Sequence, residues 1–119
     1  MINYINHTIW YKVCRTIRAR YKLSVNCLSV LIGMYVYSKF INHSFTRAQM
    51  LLFVTYFARP KMNSYFTVLL SHGYIMQSGI KLSHPLYSVS AIGLQVIKEL
   101  NASYQLEFNK FIGRYNISL

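Results

Sequence analysis

Residues 58–75, with the sequence ARPKMNSYFTVLLSHGYI, concentrate side chains whose types suit contact with nucleic acid. Lysine and arginine neutralise phosphate or reach guanine, asparagine can pair bidentately with adenine, and small hydroxyl side chains allow close approach. A helix that begins near Pro60 would present a polar face in its first turns, opposite an apolar face at helical spacing. The candidates for base and phosphate contact on that polar face and at its entrance are Arg59, Lys61, Asn63, Ser64 and Thr67.

The charge of the whole chain indicates an anionic partner. Its 119 residues include 13 Lys and Arg and only two acids, which gives a formal net charge of +11. Both acids, Glu99 and Glu107, lie in the last quarter, so residues 1–98 contain no acidic side chain. Such a composition produces a strong, long-range positive field. Nucleic acid is the polyanion that fits the candidate residues.

The same composition argues against an enzyme or a metal protein. General acid–base catalysis usually draws on carboxylates or a poised histidine, and the only side-chain carboxylates are Glu99 and Glu107. Glycine-rich phosphate loops and nucleophile motifs do not occur in the sequence. Cys14 and Cys27 have no regular spacing to any histidine, whereas structural zinc sites take four ligands in close pairs. We expect no catalytic residue, no metal, no cofactor, and two buried free thiols in a reducing, cytoplasmic compartment.

Residues 23–41 approach the length of a membrane span and have basic residues at both ends. Polar side chains interrupt this run at Ser24, Asn26, Ser29 and Lys39. The uncharged apolar core that remains has the length typical of a buried helix in a globular protein. We therefore expect no membrane association, and no signal peptide at the N-terminus.

Hydrophobic periodicity predicts long helices at both ends of the chain. Residues 5–21 place apolar side chains on one face and cations on the other, which predicts an amphipathic first helix. Ser24 is a candidate N-cap for a second, mostly buried helix that reaches about Lys39. A last helix should run from Ser90 to about Arg114, with more apolar surface than one small core covers.

Between these helices the sequence predicts a helix-turn-helix followed by a hairpin. A third helix, capped by Ser44 or Thr46, should end before Pro60, because proline disfavours helix in the residue before it. The fourth helix should run from Pro60 or Lys61 to His72, with Gly73 as its C-terminal stop. Strand-like runs YIMQ and LYSV then flank SGIKLSHP, whose glycine, serines and proline predict a flexible hairpin tip.

Three local patterns resemble those of winged helix proteins of the MarR type. They are FTRAQMLLF in the position of the scaffold helix, NSYFTVLLSHGYI in that of the recognition helix, and LYSVSAIGLQVIKEL at the exit from the wing. The resemblance covers nearly the whole chain. It implies a mainly α fold with a small β-hairpin, a winged helix-turn-helix of five helices plus wing. Residues 1–119 would form a single winged helix domain, with the helix-turn-helix at about 46–72, the wing at about 74–89 and the C-terminal helix at about 90–115.

The resemblance also implies a function and a partner. A MarR-like protein would be a homodimeric transcriptional regulator that binds double-stranded DNA, with the two copies paired through their N- and C-terminal helices. Arg47 on the scaffold helix and Lys81 in the wing then join the DNA-binding candidates. The chain departs from the family in its wing, whose only basic candidates are Lys81 and His84, and at Val68 and Leu70, where the family prefers charges.

Two other functions remain open from the sequence. The apolar Val68 and Leu70 on the recognition helix favour a winged helix that docks to another protein or belongs to a larger nucleoprotein assembly. The high net charge is also compatible with non-specific packaging of DNA or RNA.

Overall fold

The computed structural model describes residues 2–53 and 60–115, and for residues 2–8, 111, 112 and 115 it describes the backbone alone. This part of the chain contains five helices and a two-stranded antiparallel hairpin after the fourth helix. The mainly helical architecture and the place of the hairpin are confirmed, and they are compatible with a winged helix-like fold. In chain order the elements are α1 (Ile2–Tyr21), α2 (Val25–Phe40), α3 (Arg47–Phe53), α4 (Met62–Ser71), β1 (Ile75–Lys81), β2 (His84–Val89) and α5 (Ala91–Tyr115).

The chain forms two compact units. The terminal unit comprises Met1–Val25 and Lys98–Leu119, and the central unit comprises Asn26–Ile97. In the terminal unit, α1 buries Ile9, Val13 and Ile17 at helical spacing, as its amphipathic pattern predicts. The helix ends at Tyr21 because Lys22 adopts a left-handed conformation with φ of 56° while its N–H still donates to the Arg18 carbonyl.

Edge-to-face aromatic contacts link the elements of the central unit. Phe45 lies 6.2 Å from Tyr37 and 6.4 Å from Phe66, and Phe66 lies 5.2 Å from Tyr87, measured between ring centroids. The backbones of Phe45 and Tyr87 exchange two hydrogen bonds of 2.9 and 2.8 Å, which ties the segment before α3 to β2. These contacts hold α4 and the hairpin on one aromatic core.

The start of α3 is fixed by a capping box. The backbone N–H of Gln49 donates to the Thr46 hydroxyl at 3.2 Å, and the N–H of Thr46 donates to the Gln49 side-chain oxygen at 2.8 Å. Thr46, one of the two predicted caps, is therefore the residue that caps this helix. The reciprocal bonds set the position of Arg47, which begins α3.

Glycine and serine residues make the junction between α4, the hairpin and α5. Gly73 has φ of 78°, the left-handed conformation that ends α4 where the sequence predicts its stop. Ser90 caps α5 by accepting the Gly93 N–H at 3.1 Å, and its hydroxyl donates to the Gly73 carbonyl. A Cβ atom at position 93 would clash with the carbonyl of Tyr74. The Ser-x-x-Gly spacing therefore lets the start of α5 lie against the backbone of Tyr74, between α4 and β1.

The hairpin differs from its prediction. The strands pair from Ile75 with Val89 to Lys81 with His84, so they continue through most of SGIKLSHP, and the prediction of a flexible tip over that segment is wrong. Gly79 follows a register shift rather than forming the turn, and Pro85 pairs with Ile80 within the ladder. Proline is tolerated there because both strands of a two-stranded sheet are edges.

Among the described residues, no single helix combines the length and the apolar composition that a membrane crossing needs. The required length and apolar composition are met only by a pair of segments taken together, Ile9–Tyr21 and Val25–Phe40, and a break in the helix separates the two.

Candidate nucleic-acid interface

The rotation of α4 separates an apolar face from a polar one. Its buried residues are Met62, Tyr65, Phe66 and Leu69. Its exposed residues include the predicted candidates Asn63, Ser64 and Thr67, and Lys61 is exposed at the N-cap position. Val68 and Leu70 are half-buried, so the two apolar departures from the MarR pattern are partly covered by the protein itself.

The N-terminus of α4 begins without a side-chain cap. Pro60 and Lys61 form a short 3-10 turn before the helix, and no side-chain hydrogen bond is made at Lys61. Proline suits this position since it has no N–H to satisfy and a φ already close to the helical value. The positive end of the helix dipole and the Lys61 side chain therefore lie at the same end of α4.

Arg47 connects α3 to this polar face. Its Nη1 donates to the side-chain oxygen of Asn63 at 3.0 Å, and its guanidinium carbon lies 4.9 Å from the centroid of the Phe66 ring. The cation–π contact and the hydrogen bond fix the direction of an otherwise flexible side chain. Arg47 and Asn63, which are 16 residues apart in sequence, thus form one polar unit on the surface.

The contact with Arg47 changes what Asn63 can offer to a ligand. Bidentate pairing with adenine uses both the amide oxygen and the amide NH₂ group. In the protein, one lone pair of that oxygen already accepts from Arg47, whereas both N–H donors remain for a ligand. Together with the guanidinium, the pair presents an edge rich in donors. Such an edge fits acceptors: phosphate oxygens, or O6 and N7 of guanine.

The two hydroxyl candidates, Ser64 and Thr67, differ in whether the hydroxyl is available to donate a hydrogen bond to a ligand. Thr67 donates its hydroxyl to the backbone carbonyl of Asn63 at 2.9 Å, which leaves the oxygen free only as an acceptor. Ser64, one residue after Asn63, is exposed on the same face. Ser64 is therefore the hydroxyl that can still donate to a phosphate or a base.

A groove of about 410 Å³ lies between the start of α3 and β2. Its lining residues are Thr46, Arg47, Ala48, His84, Pro85 and Tyr87. Arg47 therefore borders both the polar face of α4 and this groove. His84 entered the sequence interpretation only as a weak wing residue, and a pattern in sequence could not place it beside Arg47, because that depends on the register of the hairpin.

The two remaining candidates are Lys81 and Arg59. Lys81 is exposed at the end of β1, where it pairs across the hairpin with His84. Arg59 lies outside the described residues. The candidate residues that the structure describes therefore lie on the α4 polar face, at Arg47 and at the hairpin end that carries Lys81.

Charge in the central unit is entirely positive. The basic residues of this stretch are Lys39, Arg47, Arg59, Lys61 and Lys81, and it contains no Asp or Glu. Within the described residues, no group of three or more His, Cys, Asp or Glu side chains could hold a metal ion. The central unit therefore presents donors and cations to its surroundings, with no carboxylate to oppose them.

Comparison with known proteins assigns no family. No protein-family model matches the chain, and no curated protein matches it significantly.

Proposed function

We propose that the chain is a sequence-specific double-stranded DNA-binding protein, a small transcriptional regulator of the winged helix, MarR-like type. The observation that carries the proposal is the polar face of α4, which exposes Lys61, Asn63, Ser64 and Thr67 in a unit that has no acidic residue. An α-helix fits the major groove of B-DNA, and side chains near its N-terminus reach base edges. The protein acts as a binding protein rather than an enzyme, in the cytoplasm.

The contacts divide into two classes. Lys61, at the N-cap of α4, is placed to neutralise phosphate, which gives affinity without sequence preference. The linked pair of Arg47 and Asn63 is placed to read base edges through its donors. Ser64 is exposed in the same first turn of α4. The proposed interface therefore contains both the positioning and the reading contacts that sequence-specific binding requires.

We further propose that two copies pair through α1 and α5. Tyr104 and Phe108, four residues apart on one face of α5, are half-buried and stack with their ring centroids 6.1 Å apart. The side chains of Phe111 and Ile112, predicted to extend this surface, lie outside the described residues. Apolar surface of this kind is typical of a subunit contact. Sedimentation as a monomer at micromolar concentration would contradict the pairing.

Selection of binding sites from a random duplex library tests the proposed function. A two-fold dimer should enrich a palindromic sequence, with half-sites about one helical turn apart, roughly 34–36 Å between centres. Binding without enrichment would leave only non-specific packaging, and no binding at moderate salt would contradict DNA recognition. The matched control is Asn63→Ala, which should bind the library but lose preference at one position of each half-site.

A second candidate function is docking to another protein. Phe40 at the end of α2 and Leu52 in α3 are 83% and 80% exposed, which is unusual for side chains of this size. Substituting both with serine should leave DNA binding unchanged if α4 carries the function. Loss of a protein partner with intact DNA binding would favour docking as an additional role.

A further inference from the structure

The tip of the hairpin has an unusual residue in its turn. Leu82 and Ser83 connect β1 to β2, and both have positive φ, 51° and 68°. Two-residue hairpin turns with positive φ at both positions favour Asn-Gly, Asp-Gly or Gly-Gly, because a side chain with a bulky Cβ substituent is disfavoured there. A leucine side chain cannot hydrogen-bond to the turn as asparagine does, and leucine lacks the freedom of glycine to adopt positive φ. Residues held in rare backbone conformations often mark a functional contact.

The same tip is the most exposed apolar part of the hairpin. Leu82 is 86% exposed and Ile80 is 69% exposed. Lys81 stands between them, and the ladder pairs it with His84, which is also exposed. The tip therefore presents an apolar projection next to a cation, where a conventional turn would present glycine or asparagine.

We propose that Leu82 inserts into the minor groove of DNA as an apolar wedge while Lys81 contacts the adjacent phosphate. This inference rests on the proposed function of α4. Proteins that bind the minor groove commonly insert leucine, isoleucine or other apolar side chains between base steps and kink the duplex. A wedge of this kind would give the wing a contact with DNA that does not depend on its few basic residues.

Contacts within the central unit join the hairpin to α4, the helix that we propose binds DNA. Phe66 of α4 contacts Tyr87 of β2 at 5.2 Å, and the Tyr74 N–H before β1 donates to the Leu69 carbonyl of α4 at 2.9 Å. The hairpin is thus attached to the helix that carries the polar face. A strand of seven residues spans roughly 20 Å, and adjacent major and minor grooves are separated by roughly half a helical turn, about 17 Å. The hairpin is long enough to reach the next groove.

The wedge has a consequence for sequence preference. Unstacking costs least at flexible pyrimidine–purine steps such as TA. The selected sites should therefore show such a step about half a helical turn from the bases that α4 contacts. This preference needs no hydrogen bond to a base edge, because the insertion of leucine depends on how easily the DNA step deforms.

Two variants of the turn separate the wedge from a structural role. Leu82→Asn removes the apolar side chain and introduces a residue that the turn favours, so thermal stability should hold or rise. Its affinity for the selected duplex should fall by about tenfold or more. Ser83→Gly is the matched control, since it also eases the turn but keeps the wedge and should bind like the unmodified protein.

The duplex itself reports the insertion. A fluorescent adenine analogue placed at the flexible step should brighten when the unmodified protein or Ser83→Gly binds, and should not brighten with Leu82→Asn.

If Leu82→Asn binds and brightens the probe like the unmodified protein, the wedge is wrong while DNA binding by α4 stands. If the unmodified protein binds no duplex, the proposed function fails and the wedge with it. Binding to vesicles that contain phosphatidylserine, lost in Leu82→Asn, with no change in DNA affinity, would assign the tip to a lipid surface and overturn the wedge.

Discussion

The terminal unit and the central unit differ in what their cations contact. In the terminal unit, Glu107 lies 2.9 Å from Lys12 and 3.8 Å from Lys110, and Glu99 pairs with Arg20, so both acids of the chain are used there. In the central unit, Arg47 contacts an amide oxygen and an aromatic ring instead. Three cations of the terminal unit thus lie beside an acid, whereas the central unit contains no acid that could pair with its cations.

This difference supports our proposal that the central unit is the one that binds an external anion. A carboxylate near a cation reduces the field that the cation projects, whereas a cation held by neutral groups keeps its full charge. Each amide or ring contact fixes the direction of a side chain without neutralising it. The central unit therefore combines ordered geometry with uncompensated charge, which is the combination that recognition of phosphates and base edges needs.

The largest expected effect comes from removing the support beneath the central face. Phe66 is fully buried and contacts Phe45, Tyr87 and the guanidinium of Arg47. Phe66→Ala should lower the free energy of unfolding by about 3–5 kcal/mol, because it opens a cavity under α4. Thr67 follows Phe66 in sequence but is exposed, so Thr67→Ala is the control and should lower the free energy of unfolding by less than about 1 kcal/mol. Urea denaturation of both variants checks this, and the reverse order of effects would mean that α4 is rotated.

The second effect concerns the Arg47–Asn63 pair. Each of Arg47→Ala and Asn63→Ala should weaken binding to the selected duplex by about 1–3 kcal/mol, since each removes part of one donor edge. The double variant should lose less than the sum, with a coupling energy of about 0.5 kcal/mol or more. Lys39→Ala combined with Asn63→Ala provides the control pair, because Lys39 contacts the Tyr35 ring and should behave additively. Full additivity for Arg47 and Asn63 would show that the two side chains read DNA independently.

The smallest effect is a pH dependence confined to the terminal unit. The hydrogen bond from Lys12 lowers the pKa of Glu107 below its ordinary value of 4.5, and the charges of Lys12, Lys110 and Arg114 lower it further. The folded protein therefore binds fewer protons than the unfolded chain, so the ion pair's contribution is complete above pH 4.5 and is lost as the pH falls through the folded pKa. Unfolding measured across acidic pH should show a shallower loss in Glu107→Gln. Identical acid profiles for the two proteins would contradict this role of Glu107.

How far the sequence predicts this molecule depends on the range of the contacts involved. Helix limits set by local signals, such as the Thr46 cap and the Gly73 stop, were predictable because each acts on its own turn. The exposed set on α4 followed from helical periodicity once the start near Pro60 was set. These features needed no information from distant parts of the chain.

The hairpin turn and the Arg47–Asn63 bond were not predictable in this way. Glycine and proline at positions 79 and 85 suggested a loop, but a register shift and an edge strand accommodate them. The turn falls instead on Leu82 and Ser83, of which only the serine is a residue that turns favour. Arg47 reaches Asn63 across two helices whose placement depends on the aromatic core. The position of the turn and the Arg47–Asn63 bond both depend on tertiary packing, which cannot be inferred from the periodicity of the sequence.

The most direct test of the central claim compares two variants that each remove one positive charge. Affinity for the selected duplex should fall steeply with added salt, because the cations displace condensed counterions from phosphate. Lys61→Ala, in the central unit, should reduce the slope of log affinity against log salt by about one. Lys12→Ala, whose amine pairs with Glu107 in the terminal unit, should leave that slope unchanged. A flat salt dependence, or an equal change of slope in the two variants, would contradict the assignment of DNA binding to the central unit.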